Sequence, residues 1–101
     1  MNEEEYKKSI ATICEHYGYE SQSRQLIEEM GELIVAINKW WRSTGSVEKR
    51  AVKLANIVEE LADTQIMLDQ MIYFLCCYKE VEDVKQAKIW RQLKRMESEE
   101  Q

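Results

Sequence analysis

Hydrophobic side chains recur at intervals of three and four residues along most of the chain, which is the period of an amphipathic α-helix. This spacing favours an all-α fold, a bundle of about four helices. Short polar or glycine-containing segments separate the periodic stretches. The predicted helices cover about residues 3–17, 21–42, 47–78 and 81–96, and residues 97–101 are expected to form a frayed tail.

The predicted helix ends follow from small and polar residues between the periodic stretches. Gly18 suits the left-handed position that follows a helix C-terminus. Ser21 or Ser23 is a suitable N-cap for the second helix. Residues 43–46, Ser-Thr-Gly-Ser, form the clearest loop of the chain. The third helix is expected to begin at about Val47.

The second and third predicted helices each carry an apolar stripe, which is expected to pack against the rest of the bundle. On the second helix the stripe consists of Leu26, Ile27, Met30, Leu33, Ile34, Ile37 and Trp41. On the third it consists of Leu54, Ile57, Val58, Leu61, Leu68, Ile72 and Leu75. Beyond residue 65 the third helix is apolar on nearly all sides, and a chain this short can hardly cover it. The pattern therefore predicts a homo-oligomer with this half of the helix in the interface.

Composition agrees with one helical domain spanning residues 1–101. The chain has no proline and three glycines among its 101 residues, whereas a β-sandwich or barrel needs many turn residues. Hydrophobic residues make up 45% and charged residues 33%, which is too much of both for a disordered chain.

Charge, hydropathy and cysteine content exclude several classes of function. A net charge of −5 without a basic stripe disfavours nucleic-acid binding. The longest apolar run is far shorter than the roughly 20 residues of a membrane span. Cys14, Cys76 and Cys77 match neither a disulfide framework nor a zinc motif, so reduced thiols in the cytoplasm are expected. The N-terminal residues lack the pattern of a signal peptide.

Two matched pairs of acids are the most informative feature of the chain. Glu29 and Glu32 are three residues apart and neighbour each other on one helix face. Glu60 and Asp63 repeat this spacing on the third helix, on a face shared with Met67. A purely solvated acidic face does not need apolar neighbours, although Glu-rich helical surfaces are common and that interpretation stays open.

An all-oxygen set of carboxylates suits a hard cation such as Mg²⁺, with Mn²⁺ as an alternative. Without a cation, four close carboxylates would repel one another. Di-iron bundles use Glu-x-x-His pairs, and the only histidine here, His16, lies outside both motifs. The pattern indicates metal-assisted attack of water on a phosphoanhydride.

The paired motifs Glu28-Glu29-x-x-Glu32 and Glu59-Glu60-x-x-Asp63, with their flanks, resemble the signature of the MazG-like, all-α nucleotide pyrophosphohydrolases. The similarity extends from about Gln22 to Leu75, and loosely from Lys88 to Arg95, and is greatest to the small phage and prophage members. It implies hydrolysis of nucleoside triphosphates, often deoxynucleotides, to the monophosphate and pyrophosphate by metal-activated water.

The resemblance also implies that Glu29, Glu32, Glu60 and Asp63 bind Mg²⁺ and act as the catalytic carboxylates, in a dimer or a dimer of dimers. An alternative is the phosphoribosyl-ATP pyrophosphohydrolase family, whose members have a Tyr-His stretch after the second motif. This chain has residues 64–67, Thr-Gln-Ile-Met, at that place. A second alternative is a non-catalytic helical protein that oligomerises or binds partners through its helices.

Six further residues are candidates for binding substrate, each with a structural alternative. Gln25 lies one turn before Glu29, and Lys39 lies near the angle of Glu32, so it can reach a phosphate or pair with that acid. Trp40 is a candidate for base stacking, whereas the neighbouring Trp41 lies on the apolar stripe and is expected to pack. The fourth helix carries a cationic face for the triphosphate, or for ordinary ion pairs, formed by Lys88, Arg91 and Arg95.

Overall fold

The computed structural model describes residues 1–100, and this part of the chain contains four α-helices and no strand. The helices are α1 (Glu3–Tyr17), α2 (Tyr19–Trp41), α3 (Val47–Phe74) and α4 (Tyr78–Glu99). The all-α class and the number of helices are confirmed. Helix α4 continues three residues beyond its predicted end at Met96, so residues 97–99 are helical, and Gln101 lies outside the described residues.

Side-chain caps fix the beginnings of α1 and α3. Asn2 accepts a hydrogen bond from the backbone N–H of Glu5 through Oδ1 at 2.8 Å. Ser46 caps α3 in the same way, because its Oγ accepts from the N–H of Lys49 at 3.3 Å. Each bond satisfies an N–H that has no partner within the first helical turn. Helix α3 therefore begins at Val47, as the sequence predicts.

The junction between α1 and α2 is a single glycine. Gly18 has φ 88° and ψ 162°, so its φ is positive as expected, but its ψ is extended rather than left-handed helical. Its N–H donates to the carbonyl of Cys14 at 2.8 Å, and α2 begins at the next residue. The prediction that Ser21 or Ser23 caps α2 is therefore wrong, since both lie inside the helix.

The end of α3 differs from the sequence prediction, which continued this helix to residue 78. The helix stops at Phe74 because Cys76 adopts a left-handed φ of 52°. The N–H of Cys77 donates to the carbonyl of Ile72 at 3.2 Å, and that of Cys76 to the carbonyl of Tyr73 at 3.1 Å. These two bonds form a Schellman motif, in which glycine is the usual left-handed residue. Cysteine at this position gives no signal in the sequence.

Helices α2 and α3 are antiparallel neighbours, as three contacts along their length show. At one end Gln22 Nε2 donates to Gln70 Oε1 at 2.8 Å. In the middle Glu29 and Glu60 face each other. Near the connecting loop the guanidinium of Arg50 lies 5.4 Å from the ring centre of Trp40.

Helix α1 packs against α3 and α2 through a small apolar patch and several polar contacts. Ile10 and Cys14 are buried. The thiol of Cys14 donates to the carbonyl of Gln70 at 3.7 Å, and Tyr73 Oη donates to Glu15 Oε1 at 2.8 Å. Tyr6 Oη donates to Asp69 Oδ2, and burial together with that carboxylate raises the pKa of Tyr6 to about 12.

Most residues of the two apolar stripes are exposed, which corrects the expectation that they pack within the chain. The buried apolar residues are few: Ile10, Cys14, Leu26, Ala36 and Met67. Trp41 is 83% exposed, so its predicted packing role is wrong for the single chain. The reason is that α2 and α3 contact each other through the faces that carry the acids, which turns the stripes outward.

Helix α4 contacts α3, and at its first residue it also contacts α1, because the ammonium group of Lys7 lies 4.1 Å from the ring centre of Tyr78. The rest of α4 is exposed along most of its length. Within residues 1–100, no helix combines the length and the apolar character needed to cross a lipid bilayer.

Replacing Cys76 by glycine is expected to stabilise the fold. Glycine reaches φ 52° without the steric penalty of a Cβ atom, and the exposed thiol loses no packing. We expect the free energy of unfolding to rise by about 0.5–1 kcal/mol in urea denaturation followed by circular dichroism. Cys77→Gly is the matched control, since Cys77 has φ −119° and gains nothing from glycine. An equal gain in both variants would contradict this explanation of the helix end.

Candidate metal centre

Three carboxylates meet where the middle of α2 faces the middle of α3. Glu29 on α2 and Glu60 and Asp63 on α3 each offer one oxygen, and these three oxygens lie within 4.8 Å of one another. Glu60 and Asp63 share a face because residues three apart on a helix are neighbours. The antiparallel register of the two helices brings Glu29 opposite them.

The burial of this cluster leaves two of its oxygens without partners. All three side chains are half-buried. Glu29 Oε2 and Glu60 Oε2 are shielded from solvent and have no hydrogen-bond partner among the described residues. A carboxylate oxygen that loses water and gains no donor is destabilising unless a cation or a proton compensates it.

Glu32, the fourth predicted ligand, lies beside this cluster rather than inside it. Its side chain is exposed. Repulsion from Glu29, one turn earlier on α2, is the main cause that raises the pKa of Glu32, and partial loss of hydration adds to it. The pKa of Glu60 is raised mainly by loss of hydration and then by repulsion from Glu32 and Glu29. The four acids therefore form one electrostatic unit.

Gln25 orients one member of the cluster. Its Nε2 donates to Glu29 Oε1 at 2.9 Å, across one helical turn. This bond satisfies one oxygen of Glu29, whereas the buried Oε2 has no partner among the described residues. The contact explains why a glutamine stands at this position, and a role for Gln25 in substrate binding stays a prediction.

An open groove of about 450 Å³ runs from the cluster along the α2–α3 hairpin. Glu32, Glu60 and Lys39 line it, together with Asn56. Among the described residues, Lys39 forms no ion pair with the acids, so its ammonium group is available to a bound anion. The structure thus places one predicted substrate-binding residue in the same groove as two of the acids.

Trp40 lies near the loop end of the hairpin and is half-buried. The guanidinium of Arg50 lies over its ring, a cation–π contact that occupies one face of the indole. Stacking of a nucleobase on Trp40 stays a prediction.

The structure does not bring the cationic face of α4 to the acids. Within residues 1–100, Lys88, Arg91 and Arg95 form no ion pair with the cluster, and α4 does not contact α2. Arg95 Nη1 instead donates to Gln92 Oε1 at 3.2 Å on the same helix. Their predicted contact with a triphosphate therefore needs another arrangement of α4 or a second chain.

Two residues near the site were missed by sequence reasoning. Asn56 lines the groove, and its spacing of four residues before Glu60 was an available signal. Thr64 follows Asp63 and is buried, with its Oγ1 lacking a partner among the described residues. A threonine within a mostly apolar segment carries no comparable signal. Glu28 and Glu59, the first acids of the two motifs, are both exposed, and Glu28 lines the groove together with Glu32.

Comparison of the chain with protein-family models, with curated proteins and with solved structures found no match. The chemistry of the site is accordingly inferred from its carboxylates, its groove and the spacing of the two motifs.

Proposed function

We propose that this protein is a Mg²⁺-dependent nucleoside triphosphate pyrophosphohydrolase that acts on deoxynucleotides in the cytoplasm as a dimer or tetramer. The observation that carries the proposal is that Glu29 and Glu60 each have one buried, unpartnered oxygen. These two residues and Asp63 each offer an oxygen within 4.8 Å of the others, across α2 and α3. A divalent cation would compensate both oxygens at once.

The donor set fits a hard cation. Glu29, Glu60 and Asp63 offer carboxylate oxygens, the ligand type that Mg²⁺ and Mn²⁺ prefer. Glu32 is close enough to the other acids to complete the set from the groove. No histidine or cysteine belongs to this cluster, which disfavours zinc and non-haem iron. A bound Mg²⁺ supplies Lewis-acid polarisation of a phosphate oxygen and lowers the pKa of water.

The side chains around the cluster have separate roles in the proposed reaction. Glu32 opens on the groove, and its raised pKa suits it to orient an attacking water and accept its proton. Gln25 holds Glu29 in place through its hydrogen bond. Lys39 supplies a positive charge in the groove, where a phosphate oxygen can lie. Hydrolysis of the anhydride between the α- and β-phosphates consumes one water and yields the monophosphate and pyrophosphate.

The basic residues Lys88, Arg91 and Arg95 complete the charge balance in this proposal. A bound triphosphate adds roughly four negative charges to a groove that already contains acids. Further cations are therefore needed beyond one Mg²⁺ and Lys39. An oligomer can supply these residues from α4 of a neighbouring chain. Trp40, at the loop end of the same hairpin, is the proposed contact for the base.

The reaction and its metal dependence are tested together by a pyrophosphate-release assay. The eight common NTPs and dNTPs are supplied with Mg²⁺ to the wild type, to Glu60→Gln and to Glu59→Gln. Glu60→Gln keeps the shape of the side chain but removes a charge from the cluster, so activity is expected to fall at least about a hundredfold. Glu59→Gln makes the same change on the exposed side of α3 and is expected to retain activity within about threefold.

Titration calorimetry with Mg²⁺ and Mn²⁺ on the same proteins provides the second readout. Loss of cation binding in Glu60→Gln, with binding kept in Glu59→Gln, would support the metal centre even if the substrate lay outside the panel. Phosphoribosyl-ATP is then the next substrate to test. Absence of both binding and turnover in the wild type would favour the non-catalytic helical protein instead.

The cluster is also expected to make stability depend on pH and on Mg²⁺. The folded-state pKa values of Glu32 and Glu60 are raised, so their protonation favours the folded state. Their stabilising contribution is fully present below the unfolded-state pKa of about 4.3 and is lost as pH rises through the raised values. In a chelator at neutral pH, Glu60→Gln should therefore melt above the wild type, and this difference should vanish as pH falls through the same range.

Addition of Mg²⁺ at neutral pH is expected to raise the melting temperature of the wild type more than that of Glu60→Gln, since a ligand stabilises the state that binds it. Differential scanning fluorimetry measures both effects. A wild type that melts above Glu60→Gln in chelator at neutral pH would show that the acids do not repel one another as the structure indicates.

A further inference from the structure

A cleft of about 510 Å³ lies between α1, α3 and α4, and none of its lining residues belongs to the proposed metal centre or its groove. Its apolar part is formed by Ile10, which is buried, and by Ile72, which is half-buried. Small-molecule sites in proteins usually have this size, and they combine apolar walls with a few convergent polar groups. The cleft therefore has the dimensions and character of a ligand site.

Each of the three helices contributes one aromatic ring to this cleft. The rings belong to Tyr6 on α1, Tyr73 on α3 and Tyr78 on α4. The face of an aromatic ring carries partial negative charge and attracts cations that come within about 6 Å of its centre. One such contact is present in the chain itself, where the ammonium group of Lys7 lies 4.1 Å from the ring centre of Tyr78. The walls of the cleft are therefore suited to ammonium groups.

Two of the three acids that line the cleft already have basic partners. Glu3 forms an ion pair with Lys7 at 3.6 Å, across one turn of α1. Glu82 forms an ion pair with Lys85 at 3.1 Å, on α4. Their negative charges are therefore balanced within the chain.

Asp69 is the third acid of the cleft, and its charge is not balanced in this way. Among residues 1–100, no basic side chain forms an ion pair with it. It is half-buried and accepts a hydrogen bond from Tyr6 Oη. Burial and this carboxylate raise the pKa of Tyr6 to about 12, so the phenol keeps its proton and the negative charge stays on Asp69. A half-buried carboxylate beside aromatic rings favours a cation.

We propose that this cleft binds a small organic ammonium ion, with its charge against Asp69 and its apolar substituents against the tyrosine rings and Ile10. A divalent metal ion needs several oxygen ligands or retained waters, which apolar walls do not supply. A neutral ligand would leave the charge of Asp69 unbalanced, and an anion would be repelled by it. The site does not depend on the proposed hydrolase activity.

Titration calorimetry of the full chain tests the proposal with two pairs of probes. Choline is compared with 3,3-dimethylbutan-1-ol, which has the same shape but a neutral carbon in place of the nitrogen. Butylamine, a primary ammonium ion at neutral pH, is compared with butan-1-ol. At least one of the two ammonium ions is expected to bind with a Kd of about 1 mM or lower, and its neutral analogue at least about tenfold more weakly.

A first pair of variants tests the role of Asp69. Asp69→Asn removes the charge but keeps an oxygen to which Tyr6 can donate, so the affinity for the ammonium ion should fall at least about tenfold. Asp83→Asn is the matched control, because it makes the same change at an exposed position of α4 outside the cleft. Its affinity should stay within about twofold of the wild type.

A second pair asks for a gain of affinity, so it does not depend on a variant that fails to fold. Lys7→Gln removes the ammonium group that lies over Tyr78 and one positive charge from the cleft. The bound ammonium ion should then bind at least about threefold more tightly. Lys8→Gln makes the same change on the neighbouring, exposed position of α1 and should have no such effect. Circular dichroism confirms that each variant keeps its helices.

Two results would overturn the proposal. One is a wild type that binds neither choline nor butylamine at concentrations up to about 10 mM, or binds the neutral analogues equally well. The other is an affinity that Asp69→Asn and Lys7→Gln leave unchanged. Binding of the ammonium ion should persist in Glu60→Gln, so failure of this site and failure of the metal centre give different results.

Discussion

The contact between α2 and α3 is the constraint on which the rest of the structure depends, because it places carboxylates where a helical pair normally places apolar side chains. Glu29, Glu60 and Asp63 occupy the middle of this contact. Charged groups there exclude a dry core between the two helices, and the chain buries few apolar residues in total. The apolar stripes must then lie elsewhere on both helices, which turns them toward solvent in the single chain.

Two requirements follow from this one arrangement. The inward faces need a positive charge, because repulsion from Glu29 raises the pKa of Glu32. Loss of hydration, followed by repulsion, raises the pKa of Glu60. The outward faces need apolar cover. In the proposed metal centre a cation would meet the first requirement, and its binding would then stabilise the fold by mass action.

The sequence allowed the helices and the acid pairs to be located, since both depend on local periodicity. Helix α1 and the start of α3 were placed correctly because hydrophobic spacing and nearby polar residues mark them. The end of α3 was not, because Cys76 adopts a left-handed conformation that its type rarely takes. This conformation accompanies the two backbone hydrogen bonds that close the end of the helix.

The orientation of the stripes escaped prediction for a different reason. A helical wheel shows which residues share a face, but not which face the neighbouring helix contacts. Leu26 and Trp41 both lie on the apolar stripe predicted for the second helix, yet the first is buried and the second is exposed. The face that α2 and α3 share is marked by contacts between residues far apart in sequence, such as Gln22 and Gln70. For the same reason, the sequence did not show that the substrate-binding candidates on α4 lie away from the acids.

The attachment of α1 has a consequence for the motions of the molecule. Two buried side chains hold this helix, together with hydrogen bonds from Tyr6, Cys14 and Tyr73. Water can replace these hydrogen bonds with a small loss of free energy. The α2–α3 hairpin makes the larger contact. Helix α1 can therefore open as a separate cooperative unit while the hairpin stays folded, and its amide hydrogens would exchange with solvent before those of α3.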